Sequence, residues 1–308
     1  MRVAFWGTPE FATPPLRALI GEGHDVVAVV TQPDRPQGRS RSTLVPSPVK
    51  QVALEQGIPV LQPEKPRGDP FLHELRATKP DISVVVAYGR LLPQAVIDLP
   101  PRGTLNIHGS LLPQLRGASP IEGAILAGYA ETGVTIMRMV LALDAGPTLH
   151  TLRTPILPDE TAGELRERLS ELGAEAIIEA LTMMELAALP EKPQDDARAT
   201  FCSLIKRDDA RVDWTADAAH VSRVIRAYDP KPGAFTVHGA IEIKLYGARV
   251  SDWKGAPGTV LGVDHEGMLV ACGTGAVRVA SVHPAGRKRL SAHDWFAGRG
   301  IGVGDVLG

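Results

Sequence analysis

Apolar residues in the first half of the chain fall into short continuous runs, at residues 3–6, 26–31, 82–87 and 104–108. Such runs, β-rich and without polar alternation, predict strands covered on both faces. Between them the spacing becomes helical. Over residues 14–21, Thr13 stands where a cap is needed, Pro14 takes the first helical position, and Gly21 or Gly23 ends the helix. Alternating strands and helices predict an α/β fold, a Rossmann-like, doubly wound parallel sheet. Ligands of such sheets lie beyond the carboxyl ends of the strands, so residues just after Trp6, Ala87 and Ile107 gain interest from position alone.

After Asn106 the pattern changes. Residues 133–139 and 148–156 read as two further strands. Thr161-Ala162-Gly163-Glu164 has the form of a capping box. Behind it Leu165, Leu169, Leu172, Ala176, Ala180 and Met184 recur every three or four residues, which predicts one long amphipathic helix packed across the sheet and ended before Pro190. Residues 189–206 are polar and broken by proline, so they read as an extended linker. Beyond them one helix, about 216–228, precedes short strands at 234–237, 241–246, 259–263, 268–272 and 276–282. Glycine turns at that spacing predict a small antiparallel, OB-like β-barrel. The expected division is therefore 1–188, 189–206 and 207–308.

The length, 308 residues, agrees with two domains at about 150 residues each. A chain with 44% hydrophobic and 22% charged residues is globular rather than disordered. No apolar run approaches the ~18 residues of a membrane span, and Met1-Arg2-Val3-Ala4-Phe5-Trp6-Gly7 reads as a strand, not a signal peptide. Cys202 and Cys272 are too few for a disulfide framework, and the nine histidines show no metal-ligand spacing, so no metal and a cytoplasmic setting are expected. The net charge of −2 argues against tight, indiscriminate nucleic-acid binding. That total hides an asymmetry: residues 207–308 carry +2 and residues 1–206 carry −4.

Three segments carry candidate chemistry. In Asn106-Ile107-His108-Gly109-Ser110-Leu111-Leu112-Pro113, strand alternation points Asn106 and His108 the same way, at the edge where ligands bind. An amide can hold a developing oxyanion and an imidazole can move a proton near neutral pH. An isolated Asn-x-His pair is equally at home in a core, satisfied by backbone groups. Asp144, before Ala145-Gly146-Pro147, reads either as a turn residue bonding its own backbone or as a carboxylate serving His108. The connection from Thr31 to Pro48 is long for a compact α/β unit and holds Arg35, Arg39 and Arg41 against one acid, Asp34. Arginine forks suit phosphate, while a solvated loop would look much the same. Gly7-Thr8-Pro9 breaks the dinucleotide fingerprint, which disfavours a nicotinamide or flavin cofactor. Val85-Val86-Ala87-Tyr88-Gly89 leads from a buried strand into a glycine and either presents backbone to a flat heterocycle or merely ends the strand.

Taken together, these segments resemble the methionyl-tRNA formyltransferase family. The likeness runs through Phe5-Trp6-Gly7-Thr8-Pro9-Glu10-Phe11, Thr31-Gln32-Pro33-Asp34-Arg35-Pro36, Pro46-Ser47-Pro48-Val49-Lys50, Val85-Val86-Ala87-Tyr88-Gly89, the Asn106 to Pro113 segment, Arg116-Gly117-Ala118 and Leu143-Asp144. It continues in Ala210-Arg211-Val212-Asp213-Trp214 and Ile225-Arg226-Ala227. The resemblance implies an enzyme that moves a formyl group from 10-formyltetrahydrofolate to the α-amine of methionyl initiator tRNA, by direct attack through a tetrahedral intermediate. It implies Asn106, His108 and Asp144 as the catalytic trio. Ser110, Leu111, Leu112 and Pro113 match the folate-binding segment, with the backbone of Tyr88 and Gly89 near the pterin. Arg39, flanked by Arg35 and Arg41, would enter the acceptor-stem region, and residues 207–308 would form a tRNA-binding barrel on a monomeric protein. The chain departs from the family pattern at Leu204, where a lysine is frequent, and at Val140-Leu141-Ala142, where small and acidic residues are usual. Competing readings are a formyltransferase for amino-sugar nucleotides, a hydrolase releasing formate, and a non-catalytic nucleotide-binding module.

Overall fold

The computed structural model describes residues 1–37 and 43–308. The chain divides into two compact units: Met1–Gly117, Thr132–Thr154 and Arg166–Phe201 form one, and Ala118–Glu131, Pro155–Leu165 and Cys202–Gly308 form the other.

In the first unit, β1 (Arg2–Gly7) and β2 (Asp25–Val30) precede a small hairpin, β3 (Arg35–Gln37) with β4 (Thr43–Val45), that stands outside the main sheet. There follow β5 (Val60–Leu61), β6 (Ile82–Val86), β7 (Thr104–His108), the two-residue β8 (Arg116–Gly117), β9 (Glu131–Arg138) and β10 (Thr148–Pro155). The seven-stranded sheet runs β10-β9-β7-β6-β1-β2-β5. Its β5-β2-β1-β6-β7 part is parallel, and β9 joins antiparallel to β7. Val3, Ala4, Phe5 and Trp6 of β1 are wholly buried, as a central strand covered on both faces requires. The strand order reverses at β1, so the loops after β1 and β6 leave in opposite directions and open a crevice there. Thr8 and Tyr88 meet at that point, with Thr8 Oγ1 3.4 Å from the Tyr88 carbonyl oxygen that accepts from it.

The helices of this unit are α1 (Thr13–Gly21), α2 (Pro48–Glu55), α3 (Asp69–Ala77) and the single turn α4 (Gln94–Ile97). At α1 the structure departs from expectation. Thr13 is the first helical residue rather than its cap, because a 3-10 turn over Glu10–Ala12 runs straight into the helix and the Thr13 hydroxyl donates back to the Glu10 carbonyl. The chain then forms α5 (Pro120–Leu126), in the second unit, and the 24-residue α6 (Ala162–Glu185). The capping box is present: Glu164 N donates to Thr161 Oγ1, and Glu164 Oε2 accepts from Thr161 N. On the first unit's sheet α6 lies close, because a Cβ on Gly173 would stand 3.1 Å from Ile107 Cγ2.

After the two-residue β11 (Phe201–Cys202), where the chain passes from the first unit to the second, α7 (Ala218–Ala227) precedes β12 (Ala234–His238), β13 (Ile241–Ser251), β14 (Val260–Asp264), β15 (Gly267–Ala271) and β16 (Ala276–Pro284). These last five strands pair in the order β12-β13-β16-β15-β14, all antiparallel. The chain's last residues link the two outer strands of this path. Asp305 O accepts from Val260 N, and Gly308 N donates to Val237 O. The core of the unit centres on Trp214, Val221, Ile225, Leu245, Val270 and Trp295, with Trp214 Nε1 donating to Thr236 Oγ1 at 2.9 Å. No helix among the described residues is long and apolar enough to cross a membrane.

Candidate active site

Strand β7 ends where the parallel strands present their carboxyl ends. Its register sets Asn106 opposite Val85 on one side and Met137 on the other, and His108 opposite Thr135. Ile107 is buried beneath α6, so the neighbouring Asn106 and His108 face the other side. Asn106 is half-buried, and among the described residues no group hydrogen-bonds its side-chain amide. His108 is 6% exposed.

The His108 ring has a defined tautomer. Nε2 lies 2.9 Å from Leu115 O. A carbonyl only accepts, so Nε2 carries the hydrogen and Nδ1 is the nitrogen left for chemistry. Nδ1 is 3.8 Å from Asp144 Oδ2, too far for a direct hydrogen bond. Asp144 itself adopts a left-handed conformation (φ 48°), and its Oδ2 accepts from Gly117 N at 2.8 Å. Asp144 thus sits in a tight loop, yet its carboxylate bonds Gly117 N, 27 residues back in the chain, rather than the backbone of its own turn.

The segment after β7 is held locally. Ser110 Oγ donates to Gln114 O at 2.6 Å, Thr135 Oγ1 donates to Ser110 O, and Leu112 N donates to Thr135 Oγ1. Ser110 is thereby occupied by backbone, while Leu111, Leu112 and Pro113 stay half-exposed. The Tyr88 ring packs edge-on against Trp6 in the core, and burial pushes its phenol up to about 12. Only backbone is left to present there, and the Tyr88 carbonyl already accepts from Gln32 Nε2 at 2.9 Å; Gly89 follows with φ +81°.

Near the arginine loop the structure shows a polar anchor. Lys50 Nζ donates to Asp34 Oδ2 at 2.5 Å and to Gln62 Oε1 at 2.7 Å, while Gln62 Nε2 donates to Asp34 Oδ1 at 2.8 Å. The Lys50 ammonium, then the Gln62 amide, hold the Asp34 carboxyl below the ordinary carboxylate range. Arg35, next in the chain, is exposed. Arg39 and Arg41 lie outside the described residues.

Sequence reading missed the support behind Asp144. Arg116 is buried at 4% exposure, and its guanidinium binds Gln194 and Asp196 across 78 and 80 residues of chain. Thr200 Oγ1 accepts from Leu115 N at 2.9 Å. No periodicity or motif links positions so far apart. Among the described residues no group of three or more His, Cys, Asp or Glu is placed to hold a metal. Burial pushes the Cys272 thiol up to about 11, so it is not a thiolate nucleophile at neutral pH.

The mixed, largely parallel sheet of an α/β fold thus brings an amide, an imidazole and a carboxylate close to the carboxyl end of β7. The family model described as formyl transferase matches residues 1–181, and that described as formyl transferase, C-terminal domain, matches residues 204–300. The chain is 47% identical to methionyl-tRNA formyltransferase of Chromobacterium violaceum over 309 residues, covering 100% of each. It is 46% identical to the enzyme of that name from Pseudomonas fluorescens, covering 100% of this chain and 98% of the relative. The chain belongs to the methionyl-tRNA formyltransferase family. The fold recurs at lower identity in an N-formyltransferase from Helicobacter canadensis, solved with folinic acid and dTDP-3-aminofucose (TM-score 0.71, 16% identity, 92% of this chain and 100% of that one). It recurs also in HypX from Aquifex aeolicus, solved with tetrahydrofolic acid (TM-score 0.70, 22% identity, 98% of this chain and 48% of that one).

Proposed function

We propose that this enzyme transfers the formyl group of 10-formyltetrahydrofolate to the α-amine of methionyl initiator tRNA. The observation that carries the reading is the convergence of Asn106, His108 Nδ1 and the Asp144 carboxylate at one strand end, in a chain 44–47% identical over its whole length to relatives of that name. The residues fit a flat, partly apolar formyl donor. The Asn106 amide is free to donate, and Leu91, Leu141 and Leu143, close in sequence to Gly89 and Asp144, are exposed apolar side chains.

The α-amine of an aminoacyl ester is partly neutral near pH 7, so no protein nucleophile is required. Its nitrogen bonds to the formyl carbon, and the electron pair of the carbonyl moves to oxygen. Asn106 donates to that oxyanion from its NH₂, and His108 donates when Nδ1 carries a proton. The bond to the donor nitrogen then breaks. That nitrogen gains a proton and the attacking nitrogen loses one. Asp144, 3.8 Å from His108 Nδ1, takes the proton that the attacking nitrogen loses, through a water, and passes it to the leaving nitrogen, so that the carboxylate ends the cycle as it began.

In this reading Arg35, Arg39 and Arg41 hold phosphates of the acceptor stem, and residues 207–308 add a weakly basic surface for the same tRNA. Residues 1–188 then form the catalytic domain of a cytoplasmic monomer, with 189–206 as its connection. Transfer of labelled formyl from 10-formyltetrahydrofolate to charged initiator tRNA tests the reading. Formate release without transfer, or transfer only to an amino-sugar nucleotide, would overturn it.

A further inference from the structure

Residues 189–206 have the composition of a passive connection, yet one side chain in them is fully engaged. Gln194 makes four hydrogen bonds. Its Oε1 accepts from Arg116 Nε at 3.0 Å and from Arg116 Nη2 at 2.8 Å. Its Nε2 donates to Asp144 O at 2.8 Å and to Gly146 O at 2.7 Å. Both lone pairs of the amide oxygen and both hydrogens of the amide nitrogen are used, which fixes the amide orientation and fills its bonding capacity.

No other side chain meets those four demands. Asparagine is one methylene short. Glutamate can accept from the guanidinium, but it sets a second oxygen against two carbonyls. Methionine keeps the length and leaves Arg116 and both carbonyls without their partner. The arginine on the far side is itself fixed, because it is buried and its Nη2 also contacts Asp196 Oδ1 at 2.7 Å.

The two carbonyls that Gln194 holds are those of Asp144 and of the residue two further on. They bracket a loop whose backbone is unusual. Asp144 has φ 48°, a region an aspartate seldom occupies without local support. At Gly146 a Cβ would stand 1.7 Å from Arg138 O, so the loop passes too close to β9 for any side chain. Gly117 N holds the Asp144 carboxylate from the front at 2.8 Å, while Gln194 holds its main chain from behind.

We infer that Gln194 is a positioning residue for the formyl transfer: it clamps the Asp144 to Gly146 loop to the buried Arg116 and so sets the carboxylate at its distance from His108 Nδ1. This rests on the reading of Asp144 as a proton acceptor in the reaction. The stretch around Gln194 is then a strap over the catalytic loop. Any displacement of the strap shifts the carboxylate, and a misplacement of about 1 Å at a reacting group can cost about 100-fold in rate.

The test compares Q194A, Q194M and Q194E in the full-length enzyme with D144N as reference, measuring kcat, both KM values and thermal stability. The expected result is a fall in kcat of about 10- to 100-fold in all three, with KM for folate and for tRNA within about threefold of wild type. Q194E is the discriminating variant, since it keeps its acceptor for Arg116 and with it the fold's buried pair. It should lose less stability than Q194A or Q194M while its kcat falls as far, because it keeps the Arg116 contacts but cannot donate to the two carbonyls. Combined with D144N, each Gln194 change should lower kcat little further, as expected of residues acting through one group. If Q194E restores both stability and turnover, Gln194 merely keeps Arg116 satisfied and the inference is wrong. Wild-type kcat in all three variants would overturn it equally. If D144N itself turns over normally, what fails is the catalytic reading of Asp144, and the clamp has nothing to position.

Discussion

The two units solve the same packing problem with opposite sheet types, and their chemistry differs accordingly. In the first unit five strands run parallel, so the loops leaving β1, β6 and β7 all emerge at one edge. Thr8, Tyr88, the Asn106–His108 pair and the Asp144 loop are brought there from four separate stretches of the chain. In the second unit the β12 to β16 strands alternate in direction, so successive turns fall at opposite edges. A focused edge like that of the first unit is where parallel sheets place their ligands.

The sharpest way to break that division is His108→Ala. Turnover should fall by about 10²- to 10⁴-fold while folate binding, measured at equilibrium, stays intact. D144N should behave similarly. Near-normal turnover in either purified variant removes the strand-end site from the mechanism. Next in size is Arg39→Ala. It should raise the KM for methionyl-tRNA about tenfold and reduce the slope of binding against log salt by about one, with kcat at saturating tRNA preserved. An unchanged KM and slope would take the loop out of tRNA binding.

A smaller effect is expected in the second unit. Arg287 and Lys288 lie exposed in the turn after β16, while their neighbour Arg289 is engaged, its guanidinium 4.0 Å over the Tyr246 ring. The double change Arg287→Ala, Lys288→Ala should raise the KM for tRNA about threefold and again lower the salt slope. A fall in kcat with no change in KM would contradict the division between the units.

The smallest effect concerns stability. The folded protein holds the Asp34 carboxyl below its ordinary range, first through Lys50 and then through Gln62. An acid whose value is lowered on folding adds stability above its unfolded value and loses it as the pH falls through the folded one. Asp34→Asn should therefore cost under about 1 kcal/mol at pH 7, and the difference from wild type should vanish in acid. A difference that grows as the pH falls would show that the Lys50 contact is not what holds Asp34.

Much of the site was legible because strand alternation is local. Asn106 and His108 face one way because they stand two residues apart on a strand, and Ile107 between them packs under α6. Thr161 and Glu164 cap α6 because their spacing matches one helical turn. Thr13 was misread as a cap, since nothing in the sequence marks the 3-10 turn over Glu10–Ala12 that carries the helix back past it. The expectation at Tyr88 concerned its backbone, and the structure keeps its ring in the core against Trp6 with the carbonyl beside Thr8.

The sequence by itself determined the alternation of elements and the short motif at the end of β7, because each depends on residues within a few positions of one another; the two compact units interleave distant segments, with 118–131 and 155–165 joining 202–308. Tertiary structure decided the rest. It set the His108 tautomer through Leu115 O, the left-handed turn at Asp144 through Gly117 N, and the joining of that turn to Arg116 by Gln194, 50 residues downstream. Those interactions pair groups whose separation along the chain carries no periodic signal. They exist only once the sheet has folded and a buried guanidinium needs its acceptors, which is why a stretch that composition marks as a linker became part of the site.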